Sequence, residues 1–548
     1  MRTPALLLAL ALAAGLIALL PRAARAADWY VDASAAPGGD GSQGSPFQTI
    51  NAALAGLSRG DTVWIASGTY DEVVNIAKLP GTAGQTTLRA LPGATPVIDG
   101  TSGSAAAGFV VQTSVPDTTF QGLTIQNAVS GALGVQFYYA DGGQVIDCVT
   151  KNMTSNAVTF YYASQGLVRG CTLQGNVGGR KTTGTVVENN EVYGAAAEGI
   201  GLYDGSTGCS ISHNVVHDNF SVNVYLDSIS HSLVDGNLIY ETDPGNDLEG
   251  IEFSDEFYMD LPAPVNSYNT VINNVIVGHN LGIVFWLSGE WPTDALNQES
   301  GLRHDVISNN TLVNNKGSLK WDASPAHVGT TFQNNILVAA AGISAIYLLQ
   351  ANAANGVSLD HDLWFAPDLP QPFLWLSNQT DHAGYVSASG QGAGDVLADP
   401  LFAGPWSVPP AEDMELTKGS PAIGAGVVVS AVPDDFLGAA RPGSGYDLGA
   451  FQYGATAPAD GGVVGPGSGG AGGGTTGAGA GTTGAGTTGA GTTGAGGGTS
   501  TGPAKSSGCA CSAAGDGALP AGAACVAALA AFVARPLRRR TRRASRRP

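Results

Sequence analysis

Val187-Glu-Asn-Asn190-Glu-Val192, Ile211-Ser-His-Asn214-Val-Val216 and Val234-Asp-Gly-Asn237-Leu-Ile239 are copies of one phrase: apolar, any, any, Asn, any, apolar. It returns as Val271-Ile-Asn-Asn274-Val-Ile276, Ile307-Ser-Asn-Asn310-Thr-Leu312 and Phe332-Gln-Asn-Asn335-Ile-Leu337, then as the variant Leu359-Asp-His-Asp362-Leu-Trp364. Earlier copies carry Leu123, Cys148 and Cys171 at the Asn position, and neighbouring copies stand 19 to 37 residues apart. A period of that size without helical spacing predicts short strands stacked coil on coil. A short amide in each turn can bond the backbone and tolerate left-handed geometry. In register, such amides form a ladder from coil to coil, while the flanking Val, Ile and Leu point inward.

On these repeats, residues 28–455 resemble the right-handed parallel β-helix superfamily, which includes pectate-lyase-like enzymes, several glycoside hydrolase families and phage tailspikes. The resemblance implies an all-β solenoid of about ten coils with an N-terminal helix cap. It speaks to fold and far less to activity.

Residues 1–26 read as a secretory signal: Arg2, the apolar run Leu6 to Leu20, and Ala24-Arg25-Ala26 as a small-x-small cleavage site. Export to the cell surface or beyond is the expectation. Charged residues are 12% of the chain and glycines number 79, which suits an extracellular β-protein. Without the arginines of the leader and tail, the body carries about 30 net negative charges. Such a field argues against nucleic acid as a partner and weighs mildly against a polyanionic one.

Residues 27–118 form the entrance cap and first coils. Phe47, Ile50, Ala53, Leu54 and Leu57 fall on one helical face, with Ser45 as the expected N-cap and Pro46 in the first turn. The succession YVD, SPFQTINAAL, GDTVWIASGTY is similar to the N-terminal end of many secreted β-helix carbohydrate enzymes. The repeats occupy 119–394. Residues 395–455, with Asp399-Pro-Leu-Phe402 and Asp447-Leu-Gly-Ala-Phe451, resemble the closing segment of choice-of-anchor Q proteins, though Gly424 and Gln452 stand where those carry Asp and often Glu. That resemblance implies a cap over the far end. Residues 456–507 are a Gly/Ala/Thr linker. Residues 508–548 hold Cys509-Ala-Cys511, an apolar run from Ala518 to Ala534 that contains Pro520, and an arginine-rich end. This tail resembles the myxobacterial MYXO-CTERM sorting segment, which implies processing at the cysteines and attachment to the cell envelope. A plain tail anchor is the alternative.

Cys148, Cys171 and Cys209 lie in the body, an odd count that argues against a disulfide framework. Cys148 and Cys171 share the phrase position one coil apart and are expected to pack inward; a bridge between them is the alternative. Cys209 has no assignable role.

A second strand follows each phrase: Val135-Gln-Phe137-Tyr-Tyr139, Val158-Thr-Phe160-Tyr-Tyr162, Ile200-Gly-Leu202-Tyr-Asp204 and Val224-Tyr-Leu226-Asp-Ser228, then Ile251-Glu-Phe253-Ser-Asp255, Ile283-Val-Phe285-Trp-Leu287, Leu319-Lys-Trp321-Asp-Ala323 and Ile346-Tyr-Leu348-Leu-Gln350. Alternation sends the first and third residues inward and the second and fourth toward solvent along one wall. That wall carries Tyr138, Tyr161, Tyr203, Tyr225 and Trp286 as flat faces for sugar rings, with Lys320 and Asp322 as further contacts. Asp227 and Glu252, flanked by Asp204 and Asp255, stand close enough across coils of about 4.8 Å to act as a glycosidase carboxylate pair. Stacked tyrosines and scattered acids are equally what an ordinary β-helix exterior would show, and Lys320 with Asp322 reads equally as a surface ion pair.

Two long loops, 241–269 and 288–303, flank the same coils. Asp243, Asp247 and Glu249 in the first, with Asp255, Glu256 and Asp260 beyond them, form an oxygen-rich set that could hold Ca²⁺, the one cofactor the sequence suggests; none is required. His213, His217 and His231 read as surface or turn residues. The resulting expectation is a monomeric, exported, surface-anchored protein acting on polysaccharide, with hydrolysis by Asp227 and Glu252 the leading reaction. A Ca-dependent lyase drawing its base from Arg180, Lys181 or Lys320 is the alternative, as is a non-catalytic glycan-binding surface protein.

Overall fold

The computed structural model describes residues 26–243, 248–339, 346–405 and 411–456, all within one compact unit, residues 1–468. The segment read as a secretory leader up to residue 25, Asp247, the Gly/Ala/Thr-rich stretch from residue 457 and the Cys-motif tail lie outside the described residues. Among the described residues no helix is long and apolar enough to cross a membrane.

Three parallel sheets of 13, 13 and 12 strands wind around a single core. Each coil contributes a short strand to the first sheet, turns through the Asn phrase into the second, and then enters the wall sheet. The coils outnumber the expected ten because the early ones, from Thr62–Ile65 to Phe109–Thr113, carry no Asn phrase. Nearly every inward position is Val, Ile, Leu or Phe and is fully buried, as parallel strands require when hydrogen-bonded on both sides.

The ladder forms, but its work is divided between two residues. The residue before each ladder position takes the left-handed backbone: Asn189, His213, Asn273, Asn309, Asn334 and His361 all have φ between 54° and 60°. The ladder Asn itself points inward. The backbone N–H and the Nδ2 of Asn190 both donate to Oδ1 of Asn214, at 3.0 Å each. Asn214 does the same to Asn237, Asn237 to Asn274, Asn274 to Asn310, and Asn310 to Asn335. Asn335 donates to Asp362, whose own N–H donates to Asp395. Each rung also donates back to a carbonyl of the coil before, as Asn214 does to Val187 O at 2.8 Å. No amide hydrogen in this dry interior is wasted, which is why the position tolerates so few residue types.

Cys148 and Cys171 occupy the start of the same column as free, buried thiols, with the Cys148 N–H 3.4 Å from the Cys171 Sγ. Burial pushes the Cys171 thiol well above its ordinary pKa. Cys209 heads a second internal ladder, in which its N–H donates to Ser232, Ser232 to Asn269, and Asn269 to Asp305. That ladder is the role the sequence did not assign.

Two end assignments change. The N-terminal helix runs only Ile50–Leu54, with Thr49 rather than Ser45 as its cap. Phe47 is drawn instead into a parallel bridge with Val31, and the Glu72 carboxylate accepts the N–H groups of Ile50 and Asn51. At the far end, the last wall strand Phe373–Trp375 folds back as Asn378–Thr380, and helix His382–Ser389 stacks Tyr385 on Phe373 at 4.8 Å. The 411–456 segment lies along the flank, packing Met414, Leu416, Phe436, Leu448 and Phe451 against Val215, Leu238, Val275, Val313, Ile336 and Val338. Those second-sheet residues are apolar on their outward side and need cover. The left-handed asparagines clasp this flank segment: Asn273 donates to Asp434 O, Asn309 to Asp447 O, and Asn334 to Val427 O.

Candidate functional site

The wall strands pair in the expected register from Val135 through Val158, then Ile200, Val224, Ile251, Ile283 and Leu319, with one addition and one correction. The addition is Val177–Arg180, a coil whose two glycines hide it in the sequence; it pairs Tyr161 with Arg180 and Arg180 with Tyr203. The correction is at the last strand, where Leu319 pairs with Leu349 rather than Ile346, a three-residue slip that turns Leu349 inward and leaves Ile346 exposed.

The wall is also less open than alternation implies. Gln136, Thr159, Tyr225, Glu252 and Val284 in the second column are all buried. Asp227 and Asp204 are fully enclosed. The cause is local: side chains lie down along the strands, and residues 255–266 fold back over the middle coils. The Tyr258 hydroxyl donates to Asp227, and the Glu256 N–H donates to the other Asp227 oxygen at 2.8 Å. Burial, followed by the nearby Glu256 charge, pushes the Asp227 carboxyl well above the usual range. Tyr225 donates to Glu256 at 3.1 Å, so Glu256, read from the sequence as one of the loop acids that could hold Ca²⁺, joins this cluster instead. Asp255 points away from the wall. Its carboxylate accepts the N–H groups of Val265, Asn266 and Gly301, tying both long loops together.

Toward the early coils the wall opens onto a raft of four tyrosines. Tyr138 stacks on Tyr161 at 5.4 Å and Tyr139 on Tyr162 at 5.1 Å, with Tyr139 55% exposed. Arg180 lies over the Tyr161 and Tyr258 rings and donates to Asp204 at 2.6 Å. Lys181 pairs with Asp260 at 2.9 Å, and the Tyr162 hydroxyl donates to the same carboxylate at 2.7 Å. Burial raises Asp204 to about 6 despite Arg180, whereas Asp260 is held at about 2 by Lys181 and Tyr162 against a desolvation cost.

Sequence reasoning missed Glu198, which sits in the turn before Ile200–Tyr203. Its half-buried carboxyl accepts the Tyr203 hydroxyl at 3.2 Å, and burial raises its pKa. No periodicity marks that position; only the fold of Tyr203 back along its strand brings the two together. Further along, Trp286 pairs in register with Ser254, and Lys320 forms an ion pair with Asp322 at 3.2 Å. Among the described residues no three His, Cys, Asp or Glu converge as a metal site; Asp243 is exposed and Glu249 lies in strand Glu249–Ser254. His213 and His231 are left-handed turn residues, and His217 is sandwiched between Tyr193 and Tyr240.

The family described as right handed beta helix region matches residues 101–239 and 180–358. The chain is thus a right-handed parallel β-helix. Comparison with curated proteins finds no match. Among solved structures, XylC in complex with xylose is 11% identical, with a TM-score of 0.53 over 78% of this chain and 98% of that one. Pectate lyase Pel9A is 14% identical, covering 78% of this chain and 96% of its own at a TM-score of 0.42. An alginate lyase from Paenibacillus sp. str. FPU-7 is 14% identical, covering 54% and 96% at 0.39. At these identities the likeness concerns the fold.

Proposed function

We propose that this protein acts on a polysaccharide laid along the tyrosine wall and cleaves it by hydrolysis, with Glu198 as proton donor and Glu252 as base. One observation carries the reading: a half-buried carboxyl whose pKa is raised by burial, Glu198, borders the same outward column as Glu252. Tyr203 places its hydroxyl over Gly201, and Tyr225 then Glu252 follow in the next two coils. Two rises of about 4.8 Å come close to the roughly 6.5–9.5 Å that an inverting pair needs to admit a water molecule. A neutral acid and an ionised partner are the two states such chemistry requires. The tyrosine raft supplies apolar faces for sugar rings. Asp227, whose oxygens are engaged by Tyr258, Glu256 and Ser228, serves here to anchor the loop over the wall.

Lyase chemistry is less well supported. Arg180 holds its proton more firmly than a free guanidinium because Asp204 is bonded to it, and Lys181 is engaged by Asp260. The enclosure of Asp227 and Asp204 favours glycan binding without turnover as the second reading. The deciding experiment assays the full chain on a glycan panel for new reducing ends and for ultraviolet-absorbing unsaturated products, with and without Ca²⁺. Reducing ends that vanish in Glu198→Gln and Glu252→Gln support hydrolysis by this pair. Ultraviolet products select the lyase, and binding without either product selects the adhesion reading. Export and surface attachment are proposed on the leader and tail motifs alone; fractionation of producing cells tests them.

A further inference from the structure

Asp204 and Asp227 come from adjacent coils of the wall, and both are fully enclosed. Residues 256–264 lie over both. Asp255 closes the base of this loop: its carboxylate accepts the N–H groups of Val265 and Asn266 at 3.2 and 3.0 Å, and its carbonyl accepts Trp291 Nε1 at 2.7 Å. A loop whose ends are tied to each other can lift as a unit. Its body is held mainly through the acids it covers and their neighbours. The Glu256 N–H and the Tyr258 hydroxyl donate to Asp227, and Tyr225 donates to Glu256. Lys181 Nζ stands 2.9 Å from Asp260 and 3.9 Å from Asp204. Apolar anchorage is slight: Phe257 meets Trp291 edge-on at 5.4 Å, and Leu261 rests over Gly205.

We propose that this loop is a lid: shut over Asp204 and Asp227 in acid, it lifts as the pH rises and opens the wall to a ligand. The lid adds regulation to the polysaccharide reading and does not need that reading to hold. Burial sets the sign. A carboxyl enclosed with the lid down and wetted with it up holds its proton more tightly in the closed form, so ionisation favours opening. Asp204, raised to about 6 by burial against the pull of Arg180 and Lys181, acts in this direction. So does Asp227, raised well above the usual range by burial and then by Glu256. Wetting of Glu198, which bonds Tyr203, would add to it, and Glu252 stands in register with Tyr225 as a further acid of the wall. Asp260 works the other way: held at about 2 against its own burial by Lys181 and Tyr162, it has finished titrating by about pH 4. Asp255 is also raised to about 6 by burial, but at the base it stays enclosed in both forms. Burial lifts Tyr161, Tyr162, Tyr203, Tyr225 and Tyr258 further above their ordinary range, outside this window.

Hydrogen exchange of the full chain, measured from about pH 4.5 to about pH 7 and corrected for its intrinsic pH dependence, tests the lid. The Glu256 and Leu261 amides, bonded to Asp227 and to Tyr258 O, report the lid itself. The Val265 and Asn266 amides report its base. Protection of the first pair should fall by about 20-fold or more across the range on account of Asp204 alone, while the second pair holds steady. The fall should shrink in Asp204→Asn and vanish when Asp227→Asn is added; if the double variant unfolds, Asp204→Asn alone decides. Protection that stays flat in the native protein, a slope unchanged in Asp204→Asn, or equal loosening of all four amides overturns the lid and leaves the polysaccharide reading untouched. That reading fails separately, if the lid opens as expected and no glycan is bound or cleaved.

Discussion

Tyr203 lies back along its own strand so that its hydroxyl fills the side-chain space of Gly201, 1.8 Å from where a β-carbon would stand. The glycine is therefore what lets Tyr203 reach Glu198. Gly201→Ala should expel the ring, break the Tyr203–Glu198 hydrogen bond and destabilise the fold by about 1–3 kcal/mol. Denaturant titration reads the stability loss. If Glu198 is the proton donor, turnover falls more than tenfold in the same variant; wild-type turnover would detach Tyr203 from the chemistry.

The raised pKa of Glu198 sets a direction for the pH profile. A proton donor works only while protonated, so kcat/KM should fall as pH rises through that pKa. In Glu198→Gln the alkaline limb should disappear along with most of the activity. A limb that persists in the residual activity assigns it to another group.

Asp362 holds a rung otherwise given to Asn, and burial together with Asp395 raises its pKa well above that of a free carboxyl. A group raised in this way contributes fully below the unfolded pKa of about 3.9, and that contribution is lost as pH climbs through the folded value. Asp362→Asn keeps the acceptor for Asn335 and removes the titration. The variant should be more stable than wild type near neutral pH, with the difference closing toward pH 4. Equal melting curves across that range would contradict the assignment.

Asn274 accepts two bonds from Asn237 through one oxygen and donates to Val234 O and Asn310. Asn274→Ala strands several buried groups and should cost about 2–4 kcal/mol in chemical denaturation. The same change at solvent-facing Asn75, in strand Val74–Ile76, should cost less than about 0.5 kcal/mol.

The Lys181–Asp260 pair and the Tyr162 hydroxyl hold residues 255–266 against the wall, with Met259 86% exposed at the tip. Asp260→Asn should speed hydrogen exchange of the Glu256–Leu261 amides severalfold and leave Ile251–Ser254 unchanged. Uniform acceleration would mean that the clasp steadies the whole coil.

The coil architecture was readable because both of its signals repeat. Six ladder asparagines and eight wall strands reinforce one another, so single misalignments such as Ile346 for Leu349 do not spread. What escaped had no period. Val177–Arg180 is too glycine-rich to register as a strand, and Glu198 sits in a turn of irregular length. The repeat phrase assigns nothing to the first Asn at 273–274, 309–310 and 334–335; each grips the flank segment, a contact more than 90 residues away in sequence. Orientation failed for the same reason. Alternation says which residues leave the core, but it cannot say that residues 255–266 will return to cover Asp227 and Asp204.

The internal amide ladder has a direction. From rung to rung, each Asn donates toward the later coil and accepts from the earlier one, so rungs are interchangeable but the two ends are not. A duplicated coil inserted anywhere between Asn190 and Asn335 would find a donor on one side and an acceptor on the other. Past Asp395 it would not, because that carboxylate only accepts, taking the Asp362 N–H, Trp364 Nε1 and His382 Nε2. Length and termination are thus written in different residues. A lineage could lengthen or shorten this solenoid by whole turns while inheriting its stop signal unchanged.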